Sequence, residues 1–200
     1  MSLINMDEPK VKNIFLSASI PFTERNKKYI NTCDVTSIRD AVIALTSVVI
    51  KDYRLIWGGH PAITPMISRV LNILEYNVSE HVMLYQSKWF VEQFPKENKD
   101  MPKVVLTEKK DSLEESLLEM RNKMIGNNEF MAAFFIGGME GVEIEYDMFK
   151  QFHPDTPMFP IASTGAAAKI LFNKHKNEYD IELENNLAYM SLFREIIKQI

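Results

Sequence analysis

The stretch Phe130-Met131-Ala132-Ala133-Phe134-Phe135-Ile136-Gly137-Gly138-Met139-Glu140-Gly141-Val142-Glu143-Ile144-Glu145 decides the fold. Its first half is a nearly unbroken apolar run, which predicts a central parallel strand covered on both faces. Three glycines follow, and then a segment with helical spacing. A glycine at a strand-to-helix exit lets backbone N–H groups approach a phosphate, and the dipole of the next helix favours the negative charge.

The same arrangement recurs along the chain. Leu55-Ile56-Trp57 runs into Gly58-Gly59, and Phe159-Pro160-Ile161-Ala162 runs through Ser163-Thr164 to Gly165. Gly126 is the one glycine of the seven outside these clusters. Upstream, Ile14 to Ile20 is an apolar run closed by Pro21, which predicts the first strand, with Ser17, Ala18 and Ser19 as its small-residue exit. Ile38, Ala41, Val42, Leu45, Val48 and Val49 recur at helical spacing and predict a helix over 36–52. A second helix is expected from about Pro61, with Met66, Ile67, Val70, Leu71 and Leu74 as its buried stripe. Short strands are predicted at 81–85 and 104–106, with a polar loop, Pro95 to Pro102, between them. Ser112-Leu113-Glu114-Glu115 fits a capping box opening a helix that Gly126-Asn127 ends. Helices over 142–152 and 166–173 bracket a strand at 158–162, and an amphipathic helix is expected over 183–200, whose stripe of Leu187, Met190, Leu192, Phe193, Ile196 and Ile197 can equally cover the domain's own sheet or pair with a second subunit. Strands alternating with helices specify an α/β protein, a three-layer sandwich with a mostly parallel sheet.

Two hundred residues fit one domain, expected over 13–200 behind a flexible N-terminal segment, 1–12. A net charge of −4 argues against a general nucleic-acid binder, which needs a basic face. No apolar run approaches the ~20 residues of a membrane span, and the first residues lack a signal-peptide pattern, so the expected location is cytoplasmic, with no membrane partner. The single cysteine, Cys33, has no catalytic signature around it and reads as structural. Four scattered histidines offer no metal-ligand spacing, so neither a metal nor a cofactor is expected.

The order of motifs resembles the SLOG superfamily, which joins the SMF/DprA proteins and the "lonely guy" (LOG) enzymes, over nearly all of residues 14–173. In LOG proteins a first strand ends in small residues, a second in a double glycine, and a later one in Pro-Gly-Gly-x-Gly-Thr-x-Glu-Glu. The counterparts here are Ser17-Ala18-Ser19, Gly58-Gly59-His60 and the loop from Gly137 to Glu145. The long spacing to Trp57-Gly58-Gly59-His60 is most similar to the SLOG groups of bacterial defence, which are thought to sense nucleotide-derived ligands. The resemblance implies a Rossmann-like fold, a nucleotide-derived small-molecule ligand, a homo-oligomer and a place as a defence-system effector. It is not exact. One extra residue separates Gly138 from Gly141, Val142 stands where LOG enzymes have threonine, and the acids are split as Glu143-Ile144-Glu145. Anchored on Gly141, Glu145 falls at the second family glutamate, while Glu140 and Glu143 have no clear counterpart. The arginine that LOG enzymes hold beside that glutamate has no match by motif, and Arg39, Arg69 and Arg121 are available.

The residues support two chemistries. Glycine amides from Gly58, Gly59, Gly137, Gly138, Gly141 and Gly165, with hydroxyls from Ser17, Ser19, Thr64, Ser163 and Thr164, can surround a diphosphate or ribose phosphate. Thr64 and Ser163 can equally cap helices, whereas Thr164, with Gly165 beside a helix start, leans toward the ligand. His60, protonated, can bind phosphate, or it can hydrogen-bond a base. Glu140, Glu143 and Glu145 are the candidate catalytic acids, able to hold ribose hydroxyls or to stabilise an oxocarbenium-like state. A helix dipole alone also accommodates acids in a first turn. The reading is therefore a module that senses an ADP-ribose-like or nucleoside-phosphate ligand. The alternative is an enzyme that cleaves or transfers an N-glycosidic bond, as LOG phosphoribohydrolases and nucleoside deoxyribosyltransferases do. On either reading, Gly138→Val should block a phosphate and spare the fold, unless Gly138 has a positive φ.

Overall fold

Side chains alternate across a strand, so an apolar run buried on both faces needs a helical layer above and below it. The computed structural model, which describes residues 11–24, 26–74 and 80–200, has that architecture. Nearly all of the N-terminal segment expected to be flexible lies outside the described residues. The strands are β1 (Lys12–Ser19), β2 (Tyr53–Trp57), β3 (Val82–Ser87), β4 (Val104–Thr107), β5 (Phe130–Gly137) and β6 (Met158–Ile161). They form one sheet in the order β4-β3-β2-β1-β5-β6, and all five pairings are parallel. Strand order reverses between β1 and β5, where open α/β sheets leave a crevice at their carboxyl ends.

Helices α2 (Val35–Val49), α3 (Thr64–Leu74) and α8 (Tyr189–Gln199) cover one face. Ile38, Ala41, Ile67, Leu192 and Phe193 pack there on Ile14, Leu16, Phe134 and Ile136. On the other face lie α4 (Leu113–Arg121), α5 (Glu140–Phe152) and α6 (Ala166–Lys174), whose Met120, Tyr146, Phe149 and Leu171 meet Phe15, Ile56 and Phe135. Phe15, Phe130, Phe135 and Phe149 form an edge-to-face and stacked aromatic cluster between β1, β5 and α5. This packing fixes α5 against the two strands that bound the crevice.

Four local differences from the sequence reading have physical causes. The C-terminal helix is broken into α7 (Glu182–Asn185) and α8, because the Asn186 side chain accepts the Ala188 N–H at 2.8 Å and replaces a helical bond. Within the expected apolar stripe, Leu192, Phe193 and Ile196 cover the domain's own sheet, while Leu187 and Met190 are exposed. Pro61 sits in the turn ahead of α3 rather than in its first turn. A four-residue helix, α1 (Lys27–Ile30), capped by Asn26, was not foreseen, since so short a segment carries no periodicity. No helix among the described residues is long and apolar enough to cross a membrane.

Candidate functional site

Phe15 and Ser17 point to the same face of β1 two residues apart. Phe15 enters the core against α5, and Ser17, one step nearer the strand end, meets that helix's polar side. The Ser17 hydroxyl donates to Glu145 Oε2 at 2.6 Å. From the end of α4, Arg121 Nε donates to Glu145 Oε1 at 3.2 Å. Ser17, Arg121 and Glu145 thus converge at the β1/β5 reversal, with the two charged side chains only 11% and 13% exposed. Both carboxylate oxygens are engaged, as a shielded anion requires. Arg121 is held there because α4 runs directly into a π-helical turn, Asn122–Gly126, a distortion often found at functional sites. Of the three arginines that the sequence leaves open, Arg121 is the one paired with Glu145.

The glycine loop closes over this group. The Gly138 N–H donates to Ser19 O at 2.8 Å, tying the loop to the end of β1. Gly138 has φ +93°, and a Cβ there would overlap Val142, the residue that stands in place of the LOG threonine. Valine at Gly138 is therefore strained for reasons unrelated to a ligand, which is the exception the sequence reading made for a positive φ. A Cβ on Gly141 would lie 3.1 Å from Arg121 Nη2, so the missing side chain makes room for the guanidinium. No side chain caps the start of α5; the Val142 N–H donates to Met139 O at 3.0 Å, while the Glu140 and Gly141 amides have no hydrogen-bond partner among the described residues.

The three acids of this loop separate. Glu143 faces α1, where the Tyr29 hydroxyl donates to it and Lys28 Nζ lies 2.9 Å away. Hydrogen bonds to Tyr29 and Glu143 push the Lys28 ammonium up to about 12, and burial pushes the Tyr29 phenol up to about 12 as well. Glu143 therefore pins α1 to α5. Glu140 is exposed in the first turn, and Glu145 alone enters the crevice group.

The other expected ligand residues sit at the same carboxyl edge with different partners. Thr64 is fully buried and takes the Trp57 indole N–H at 3.2 Å. Thr164, also fully buried, takes the Gly137 N–H at 2.8 Å and donates to Ile161 O at 2.6 Å, which joins the exits of β5 and β6. A Cβ on Gly165 would collide with the Thr32 carbonyl, so this glycine serves a close backbone approach. Ser163 is partly exposed and pairs with the Tyr189 hydroxyl at 3.1 Å. Gly58 is partly exposed, Gly59 is held by Gln86 Nε2 on its carbonyl at 2.8 Å, and His60 follows them. Gln86 is a buried side chain with no sequence signal beyond its place in an apolar strand. Burial alone pushes His60 down to about 4, so it is neutral near pH 7 and is no cation for phosphate.

Two hollows lie outside the crevice group. One, about 240 Å³, is lined by Thr32, Ser163, Gly165 and Lys169 at the exit of β6. The other, about 550 Å³, lies at the opposite end of β6, among Lys150, Met158, Tyr179, Glu182 and Leu192. Size alone would favour the second. The convergent polar groups and the glycine loop after β5 belong to the crevice, which makes it the candidate site.

The X-ray structure of TM1055, a structural-genomics target, shares the fold, with a TM-score of 0.60 and 15% identity over 95% of this chain and 100% of that one. No curated protein matches the chain. The model of the SLOG cluster3 family matches residues 28–197, a span that holds Arg121, the glycine loops, helices α2 to α7 and most of α8. By that match the chain belongs to the SLOG cluster3 family.

Proposed function

We propose that this protein binds a nucleotide-derived ligand, an ADP-ribose-like molecule or a nucleoside phosphate, in the crevice between the carboxyl ends of β1 and β5. The observation that carries the reading is the shielded Ser17–Glu145–Arg121 group at the strand-order reversal, beneath a glycine loop that opens a helix. A charged pair removed from water costs free energy without a compensating gain in packing, so its place at this crevice fits a ligand role better than a structural one. Open amides at the start of α5 suit phosphate oxygens. Arg121 suits a phosphate or a ribose oxygen, and Glu145 and Ser17 suit ribose hydroxyls.

One observation favours the enzymatic reading. Arg121 beside Glu145 supplies the arginine–glutamate pairing that the resemblance to LOG enzymes calls for, and a fixed carboxylate can stabilise an oxocarbenium-like state during N-glycosidic cleavage. Sensing is the first reading because each Glu145 oxygen already takes a donor in the free protein, which draws its charge away from an oxocarbenium-like state and still leaves acceptor sites for ribose hydroxyls. A dimer or larger assembly, and a role in defence signalling, follow from the resemblance alone.

The test uses AMP, ADP-ribose, NAD and cyclic ADP-ribose with wild type and Glu145→Gln, measuring thermal shift and base release on the same samples. A sensor gives a shift without release, and the variant binds ~1–3 kcal/mol more weakly. An enzyme releases base, and the variant loses at least ~10²-fold in turnover with little loss of binding. If none of the four shifts or reacts with wild type, the proposal fails.

A further inference from the structure

Of the two strongly exposed phenylalanines, Phe152 closes α5 at the far end of the domain, and Phe22 stands on the segment leaving β1, at the carboxyl edge. Phe22 is 49% exposed, yet its ring is not isolated. It lies 5.9 Å from the His60 imidazole, with the ring planes 31° apart. These two rings come from the exits of neighbouring strands, since β1 and β2 pair from Lys12–Tyr53 through Leu16–Trp57. The aromatic pair therefore sits beside the glycine loop of β2 and next to the strand that carries Ser17.

His60 has a defined hydrogen-bond role. Its Nδ1 accepts the Ala62 N–H at 3.2 Å, which assigns the ring proton to Nε2. That leaves Nε2–H as a donor without a partner among the described residues. A neutral imidazole with one free donor suits a ring nitrogen or a carbonyl oxygen, whereas a phosphate would select the charged form. Burial keeps the ring neutral down to about pH 4.

Resting on the proposed nucleotide ligand, we infer that Phe22 and His60 form the base subsite: Phe22 offers an open ring face for stacking, and His60 Nε2–H donates to an acceptor on the base edge. The ligand class that this subsite selects is a purine nucleotide derivative, whose two-ring base fills an aromatic face and presents acceptor nitrogens. The division of the site then follows the sheet. The exits of β1 and β2 hold the base, and the exit of β5, with Arg121 and Glu145, holds ribose and phosphate.

The test compares ADP-ribose with ribose 5-phosphate, which lacks the base, by isothermal titration of wild type, Phe22→Ala and Phe22→Trp. Because Phe22 is half-exposed, the alanine variant should melt as wild type does, and its melting curve is recorded alongside. Phe22→Ala is expected to weaken ADP-ribose about tenfold, the scale of one lost base stack, and to leave ribose 5-phosphate within about twofold. Phe22→Trp should restore ADP-ribose affinity. Equal ADP-ribose affinity in wild type and Phe22→Ala, or equal weakening of both ligands, overturns the base subsite while the nucleotide reading stands. If wild type binds ADP-ribose alone, the alanine and tryptophan variants decide on that ligand. Failure of wild type to bind any of the nucleotides above refutes the broader reading, and the subsite with it.

Discussion

At the scale of single residues, the account rests on Arg121 and Glu145 acting as a shielded pair. Arg121→Met should destabilise the fold by about 3 kcal/mol, because it leaves the Glu145 carboxylate sheltered without its cation. Adding Glu145→Met should recover much of that loss. Urea denaturation of the two single variants and the double variant measures the coupling, and additive effects would mean that the pair does not interact. His60 gives a pH signature. Its pKa is about 4 in the fold against 6.5 in the unfolded chain, so between those values the unfolded state binds more protons. Its contribution is complete above pH 6.5 and is lost as the pH falls toward 4. The stability of wild type minus that of His60→Gln should therefore rise with pH across that window, and a flat difference would contradict the burial. Glu145 was legible in the sequence because the glycine anchor fixed its offset. Arg121 was not, since its role depends on where a π-helical turn leaves the end of α4, and no local pattern records that.

At the scale of elements, the loops that looked alike in sequence divide into two kinds. Gly58 has room, because a Cβ there would meet the flexible Met120 side chain at 3.4 Å, and its φ is not positive. Gly138 is in the left-handed region, and a Cβ there would overlap Val142. Gly58→Ala should thus change the melting temperature little, whereas Gly138→Ala should cost about 1–3 kcal/mol. Similar thermal stability in both variants would show that the loop is misdescribed. Strands β2 and β5 were legible because apolar runs ending in glycine have few alternative readings, and the Ser112 cap was as expected, accepting the Glu115 N–H at 3.1 Å. Thr64 was open between capping and ligand binding and Thr164 leaned toward the ligand, and the structure engages both inside the protein. Hydroxyl residues at strand exits look the same in sequence whether they face a ligand or a neighbouring loop.

At the scale of the whole molecule, the sequence left open whether the C-terminal apolar stripe covers the domain or a second subunit. Phe193 is fully buried edge-on to Phe134 of β5, so α8 is part of this domain's own core. Phe193→Ala should then cost about 3–5 kcal/mol in denaturant unfolding, independent of protein concentration. A cost that grows on dilution would place this face in an assembly instead. The topology brings the ends of β1, β2 and β5 to one edge, and the central claim is that this edge, not the larger hollow beside β6, is where a nucleotide-derived ligand sits. The most direct measurement is a crystal structure of the protein grown with saturating ADP-ribose. Ligand density is expected in the crevice among Ser17, the Gly138 loop, Arg121 and Glu145, with the base toward Phe22 and His60. Density in the hollow bounded by Met158, Tyr179 and Leu192, or an empty crevice at saturation, would contradict it.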